Sequence, residues 1–206
     1  MGNTSTTFLS MPKKIIFASN NQHKADEIRR ILSSDYEIIT LKQAGIDIDI
    51  PEPHDTFQKN ADEKSSTIYN MLKTDCFAED SGLEVECLNG LPGVYSARYA
   101  GEHGNDSANM EKLLNDLKSS LDRTAQFKTV VSLMLEGEVY NFVGTCSGSI
   151  ATEPRGNNGF GYDPIFIPTG YDKTFAELNL DEKNAMSHRK KAITQMIDFL
   201  NTYQHK

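Results

Sequence analysis

The chain has 206 residues, 38% of them apolar, and its 29 acidic against 21 basic side chains leave a net charge of −8. That length suffices for one domain with a sizeable core, and the negative charge disfavours a nucleic-acid binder, whose affinity comes from neutralising phosphates. No run approaches the roughly 20 apolar residues of a membrane span, and Cys76, Cys87 and Cys146 form no C-x-x-C pair, as expected of reduced core thiols in a cytoplasmic protein.

Residues 1–10 are polar, without the basic and apolar regions of a signal peptide. Met11-Pro12-Lys13-Lys14 looks like a second start, so residues 1–10 are expected to be a disordered extension. The run Ile15-Ile16-Phe17-Ala18 predicts a buried strand over 13–18, and the turn-like Ser19-Asn20-Asn21-Gln22-His23 follows it. A helix comes next, with Ala25, Ile28, Ile31 and Leu32 on one face, then a strand over 36–40 and a loop-rich stretch over 41–53. Asp55-Thr56-Phe57-Gln58 resembles a capping box for a helix reaching about residue 73, with Phe57, Ala61, Ile68 and Leu72 aligned.

In Phe77-Ala78-Glu79-Asp80-Ser81-Gly82-Leu83 an apolar run ends in two acids. The expectation is a strand that gives out at Asp80 and a Ser-Gly turn after it. A helix over 105–121 through Met110, Leu113, Leu114 and Leu117 is predicted, then a hairpin of runs 127–135 and 139–150 around Glu136-Gly137. A Gly/Asn-rich loop covers 153–162. The last helix, 187–203, carries Ala192, Ile193, Met196, Ile197 and Leu200. This order predicts an α/β domain with a mixed sheet.

Several segments suit a bound triphosphate. The turn of residues 19–23 opens a helix, whose first backbone N–H groups favour an anion, and Lys24 adds charge; an ordinary N-cap by Asn20 or Asn21 reads equally well. Lys64 falls within the apolar arc of its helix, from which it either snorkels out or reaches an anion. Glu52, stiffened by Pro51 and Pro53, and the pair Glu79-Asp80 offer the hard oxygen ligands that Mg²⁺ requires, although Asp-Ser-Gly is also common turn chemistry. Gly159-Phe160-Gly161-Tyr162-Asp163 lacks the third glycine of a dinucleotide fingerprint, yet lets backbone approach a ligand and offers the Phe160 ring to a base. His188-Arg189-Lys190-Lys191 places cations at a helix start, against the macrodipole. A bound anion, or hydrogen bonding of Arg189 to a base carbonyl, would offset that cost.

Taken in order, these segments resemble the inosine triphosphate pyrophosphatase family. The carriers are Ser19-Asn20-Asn21-Gln22-His23-Lys24, Glu52 with Thr56-Phe57, Asn60-Ala61 and Lys64, then Glu79-Asp80-Ser81-Gly82-Leu83. Leu91-Pro92-Gly93-Val94-Tyr95-Ser96-Ala97-Arg98-Tyr99, the segment from Gly159 to Pro164, and Glu182-Lys183-Asn184-Ala185-Met186-Ser187-His188-Arg189 complete them. The resemblance implies an elongated α/β fold with a long twisted mixed sheet, one domain over 11–206, two lobes and a central cleft. It also implies homodimers and Mg²⁺-dependent hydrolysis of ITP, dITP and XTP to the monophosphate and pyrophosphate; charge and hydropathy, for their part, lead us to expect neither nucleic acid nor membrane as partner. By the same resemblance Ser19, Asn20, Asn21, Gln22, His23 and Lys24 bind triphosphate, Glu52 and Asp80 hold the metal with Glu79 nearby, and Asp80 is the proton acceptor. Ser81, Phe160, Gly161, Tyr162, Asp163, Lys183, His188 and Arg189 contact nucleotide, while Lys24 and Lys64 neutralise the phosphate tail during catalysis. The chain departs from the family pattern at Glu79, where many bacterial members have Asp, at Lys59, where Glu is usual, and at His54, where Gly is common. A pyrophosphatase for other modified nucleotides, and a binding module without hydrolysis, are the alternative readings.

Overall fold

The computed structural model describes residues 12–32 and 35–204; the extension expected over residues 1–10 lies outside them. Six strands, β1 (Lys13–Phe17), β2 (Tyr36–Thr40), β3 (Cys76–Val85), β4 (Thr124–Leu135), β5 (Glu138–Ile150) and β6 (Phe166–Pro168), form one sheet in the order β2-β1-β3-β4-β5-β6. Pairing is parallel among β2, β1 and β3 and antiparallel from β3 onward, so the sheet is mixed as expected. The helices are α1 (Gln22–Ile31), α2 (Phe57–Leu72), α3 (Asp106–Asp116), α4 (Leu180–Met186) and α5 (His188–Thr202). Among the described residues no helix is long and apolar enough to cross a membrane.

Strand alternation decides which helix each β3 side chain meets. Phe77 packs with Phe17, Ala25, Ile28 and Ile193 on the α1/α5 face, and Cys76 and Ala78 pack with Ala18 and Ile68 on the α2 face. A separate core gathers Leu83, Val85, Leu113, Phe127, Phe166 and Phe175 beyond the middle of β3.

The strand does not end at Asp80. Its register with β4 runs unbroken from Cys76↔Met134 to Val85↔Ala125, and the expected Ser81-Gly82 turn is extended backbone inside it. What gives out is the neighbour: β1 pairs with β3 only at Ile16↔Cys76 and Phe17↔Phe77. The chain then leaves through the turn after Ala18, exposing one edge of β3 at Glu79 and Asp80. Such a divergence at the carboxyl end of parallel strands is where α/β sheets open a crevice.

Local chemistry shifts several boundaries. Thr56, not Asp55, caps α2, its side chain accepting from Lys59 N, because Thr56 has the extended backbone of a cap. Helix α3 stops at Asp116, short of the predicted 121, with the chain turning so that Leu121 is fully exposed. Helix α4, which the sequence reading did not separate from the loop before α5, rests on a capping box between Asn179 and Glu182. Cys76 and Cys146 are buried, but Cys87 is exposed rather than a core thiol.

Gly82 is required by close approach. A Cβ there would lie 2.4 Å from Gly93 O and 2.5 Å from Ser96 Oγ. The short helix Gly93–Arg98 lies against β3 through this contact, with Ser96 Oγ accepting from Leu83 N at 2.9 Å. Gly82→Ala is expected to destabilise the fold by about 3 kcal/mol through overpacking, read as a lower midpoint in urea unfolding; an unchanged midpoint would show that this segment shifts freely.

Candidate active site

The crevice is a cleft of about 830 Å³, within the range of small-molecule sites. Its walls include the turn after β1, the loop carrying Glu52, the α2 face bearing Lys64, the middle of β3, the stretch from Val94 to Asp106, and the stretch from Phe160 to Arg189.

The turn after β1 is built by its own side chains. Ser19 Oγ accepts from Asn21 N at 3.1 Å, Asn20 Oδ1 from Lys42 N at 2.8 Å, and Asn21 Oδ1 from Lys24 N at 3.1 Å. The N-cap reading therefore holds for Asn21. Residues 19–21, 23 and 24 line the cleft, whereas Gln22 is exposed outside it, donating to Asp26 at 2.6 Å.

Glu79 and Asp80 point to opposite faces of β3 and hold different company. Glu79 faces α1 and α5 and is fully enclosed: Arg189 Nε donates to Oε2 at 2.8 Å, and the Lys24 ammonium stands 3.0 Å from Oε1. The Lys24 ammonium is thus the ion-pair partner of this second oxygen. Burial would raise the Glu79 carboxyl, but Arg189 and Lys24 outweigh it and hold it well below the usual carboxylate range. With both oxygens committed, Glu79 does not line the cleft.

Asp80 faces α2. Asn60 Nδ2 donates to its Oδ2 at 3.1 Å, and Ser81 N donates to its Oδ1 at 3.0 Å. Asn60 also accepts from His54 N at 2.9 Å and donates to His54 O at 3.2 Å, so one buried amide braces both Asp80 and the loop that carries Glu52. The Lys64 ammonium lies 2.5 Å from Glu52 Oε1 and 3.8 Å from Asp80 Oδ1. Burial pushes the Asp80 carboxyl up, Lys64 pulls it down and Glu52 adds to the rise; the result is upward. For Glu52, burial is outweighed by Lys64, assisted by Lys24 and Arg98, and its carboxyl is lowered.

At the other end, Arg189 sits in the first turn of α5, and no free anion is needed to explain it. Protein carboxylates offset the macrodipole: Nε meets Glu79, Nη1 meets Glu27 Oε2, and Nη2 donates to Ser81 Oγ at 3.1 Å. Glu27 also accepts from Lys183 Nζ at 2.8 Å, and Lys183 donates in turn to Asp163 Oδ2 at 2.7 Å. Burial raises Asp163 against the pull of Lys183, whereas Lys183 is held protonated by Asp163 and Glu27 in spite of burial. These directions conflict for one pair; the geometry, with Lys183 and Phe160 N both donating to Asp163 Oδ2, favours the ionised form. Asp163 thereby pins the Phe160 loop as well as lining the cleft. Gly159 is needed there, since a Cβ would lie 2.0 Å from Asp163 Oδ2.

The Phe160 ring stacks on His23, centroids 5.3 Å apart, with Lys183 Nζ 5.1 Å from its centre. Tyr162 is buried, its hydroxyl donating to Ser96 O at 2.9 Å, and Gly161 N donates to Asp106 at 2.6 Å. His188 stacks on Phe127, centroids 4.8 Å apart, and its buried Nδ1 has no partner. Burial, then Arg189 and Lys183, drive the His188 pKa well below 6.5, so the imidazole is neutral.

Every predicted site residue except Gln22 and Glu79 lines the cleft. Sequence reasoning missed Glu27, although its signal was present: an acid beside the apolar stripe of Ala25, Ile28 and Ile31. Asn60 and Arg98 were quoted as parts of motifs but given no role. No group of three or more His, Cys, Asp or Glu side chains among the described residues could by itself hold a metal ion. Glu52 and Asp80, both aimed at the Lys64 ammonium, form a two-carboxylate set of the kind Mg²⁺ uses together with phosphate oxygens and water.

Comparison with known proteins shows the family. Residues 15–199 match the Ham1 family, and the chain belongs to that family. It is 51% identical over 187 residues to the dITP/XTP pyrophosphatase of Flavobacterium johnsoniae, covering 91% of this chain and 97% of the relative. It is 49% identical over 189 residues to the enzyme of the same name from Porphyromonas gingivalis, covering 91% and 97%. Among solved structures, the Ham1 protein of Staphylococcus aureus superposes with a TM-score of 0.84 at 47% identity, covering 92% of this chain and 98% of that one. The nucleoside-triphosphatase / dITP/XTP pyrophosphatase of Mycobacterium abscessus gives 0.75 at 41%, covering 90% and 99%.

The buried carboxylates set the acid response. The folded pKa values of Glu27, Glu52 and Glu79 lie below the ordinary 4.5, so on acidification the unfolded chain takes up protons first. Their stabilisation is complete above that value and is lost as pH falls through the folded values. Raised Asp80 acts in the opposite sense. Unfolding free energy from urea titrations is expected to fall from about pH 5 downward and to go on falling below about pH 3. Glu79→Gln should lose about 3–5 kcal/mol at neutral pH and show a shallower acid slope. Equal slopes in the two proteins would mean that Glu79 is not the depressed group.

Proposed function

We propose that this chain is a dITP/XTP pyrophosphatase that cleaves ITP, dITP and XTP to the monophosphate and pyrophosphate. The observation that carries the reading is the setting of Asp80: buried, braced by Asn60, beside Glu52 and Lys64, at the floor of a cleft whose other end is crowded with hydrogen-bond donors. The relatives that bear this activity match nearly the whole chain.

Glu52 and Asp80 would hold Mg²⁺. The ion, when bound, polarises phosphate oxygens and neutralises the departing pyrophosphate. Asp80, held by Asn60 Nδ2 and Ser81 N, orients the attacking water and accepts its proton. Lys24 and Lys64 neutralise the phosphate tail in a partly enclosed site, where fixed charges act most strongly. Glu79 serves by positioning Lys24 and Arg189, not as a ligand.

The base end reads the purine. Lys183 has three N–H donors and gives two to Glu27 and Asp163; Arg189 has five and gives three. The spare donors suit the 6-carbonyl oxygen of hypoxanthine or xanthine and oppose the 6-amino group of adenine. Mismatches of this type discriminate by about 10⁴-fold. A base stacked on Phe160 takes the place of His23 or lies beside it. Two lobes, flanking the cleft, and a homodimer complete the proposal.

Pyrophosphate release from dITP, XTP, ITP, GTP, ATP and dTTP, with and without Mg²⁺, tests it. Metal-dependent turnover of the first three alone is expected. Equal turnover of all six would keep the phosphate site and discard the base reading, and binding without turnover would favour the non-hydrolysing module. Asp80→Asn is expected to lower kcat about 10³-fold with far-UV circular dichroism unchanged; near-normal turnover would remove Asp80 as the base.

A further inference from the structure

Glu52 and Asp80 converge on a cation the protein itself supplies. Lys64 Nζ stands between them, 2.5 Å from Glu52 Oε1 and 3.8 Å from Asp80 Oδ1, with only 9% of its side chain exposed. Arg98 reaches the other oxygen of Glu52 at 3.7 Å and donates to its backbone carbonyl at 3.3 Å. Two carboxylates brought together away from water repel strongly unless a positive charge lies between them. A divalent ion shared by the same two groups would have to take the place from which Lys64 neutralises them. The ion and the ammonium would repel one another in that one place, which favours departure of the ammonium. Lysine is suited to yield, since its ammonium rides on a flexible four-carbon stem.

We propose that Lys64 is a placeholder cation. It satisfies Glu52 and Asp80 in the free protein, opposes entry of a free divalent ion, and transfers to the phosphates when metal and nucleotide arrive together. The species the cleft recognises is then the metal–triphosphate complex. Its phosphate oxygens give Lys64 and Arg98 new anions as the metal takes over the carboxylates, and neither metal nor nucleotide alone completes this exchange. The inference rests on the reading that Glu52 and Asp80 hold the metal.

The test is Mn²⁺ binding without nucleotide, followed by the electron paramagnetic resonance signal of free Mn²⁺. Wild type, Asp80→Asn, Lys64→Met, and the two substitutions combined are compared, all at neutral pH. Weak binding is expected in wild type, at least tenfold tighter binding in Lys64→Met, and a return to weak binding in the double variant. Lys64→Met should also melt at a lower temperature in EDTA and recover on adding Mn²⁺. Lys64→Gln replaces it if that variant does not fold, with the same expectation. An affinity unchanged by Lys64→Met, where Asp80→Asn in the wild-type background abolishes binding, overturns the placeholder and leaves the metal reading standing. Tight Mn²⁺ binding that persists through Asp80→Asn overturns both.

Discussion

The arrangement on which the rest of this site depends is a chain of alternating buried charges. Lys24, Glu79, Arg189, Glu27, Lys183 and Asp163 follow one another, each neutralised by its neighbours. Removing any one of these charges from water is costly, and only the next charge in line offsets it. The chain therefore tolerates few arrangements. It ties α1 to β3, α5 and α4, and through Asp163 to the backbone of Phe160. Apolar packing brings these elements near one another; the charges decide their relative positions.

Strand alternation supplies the second constraint. Adjacent acids on an unbroken strand must face opposite ways, and Glu79 and Asp80 do. One enters the charge chain, where two cations keep it ionised. The other lines the cleft beside an amide, a carboxylate and one lysine, where burial outweighs the lysine and its proton affinity rises. Two residues of almost the same chemistry thus acquire separate tasks, structural and chemical, from a single turn of the pleat. Asn60 keeps the second acid aimed, and its bonds to His54 place Glu52 as well.

The cleft is in consequence neither a simple basic pocket nor an acidic one. Its cations are already paired, so an incoming triphosphate competes with protein carboxylates instead of filling an uncompensated positive site. That balance fits a strongly acidic protein whose ligand is also an anion: attraction is local and appears when carboxylates are engaged elsewhere.

The strands whose apolar runs are long, the β4–β5 hairpin, the helix faces and half of the residues lining the cleft were legible in the chain alone. These follow from short-range periodicity and from motifs that carry their chemistry within a few positions. The sequence reading overran α3 and set the α2 cap one residue early, because helix ends depend on backbone conformation that composition does not encode. It read Ser81-Gly82 as a turn, whereas tertiary structure uses Gly82 for the close approach of the Gly93 segment. Only the tertiary structure decided the partners of the charges. Arg189 finds Glu79 and Glu27 at separations of 110 and 162 residues along the chain. A charge that appeared to need a bound anion is answered by carboxylates from distant elements, since burial energy depends on what lies across the fold and not on what is adjacent in sequence.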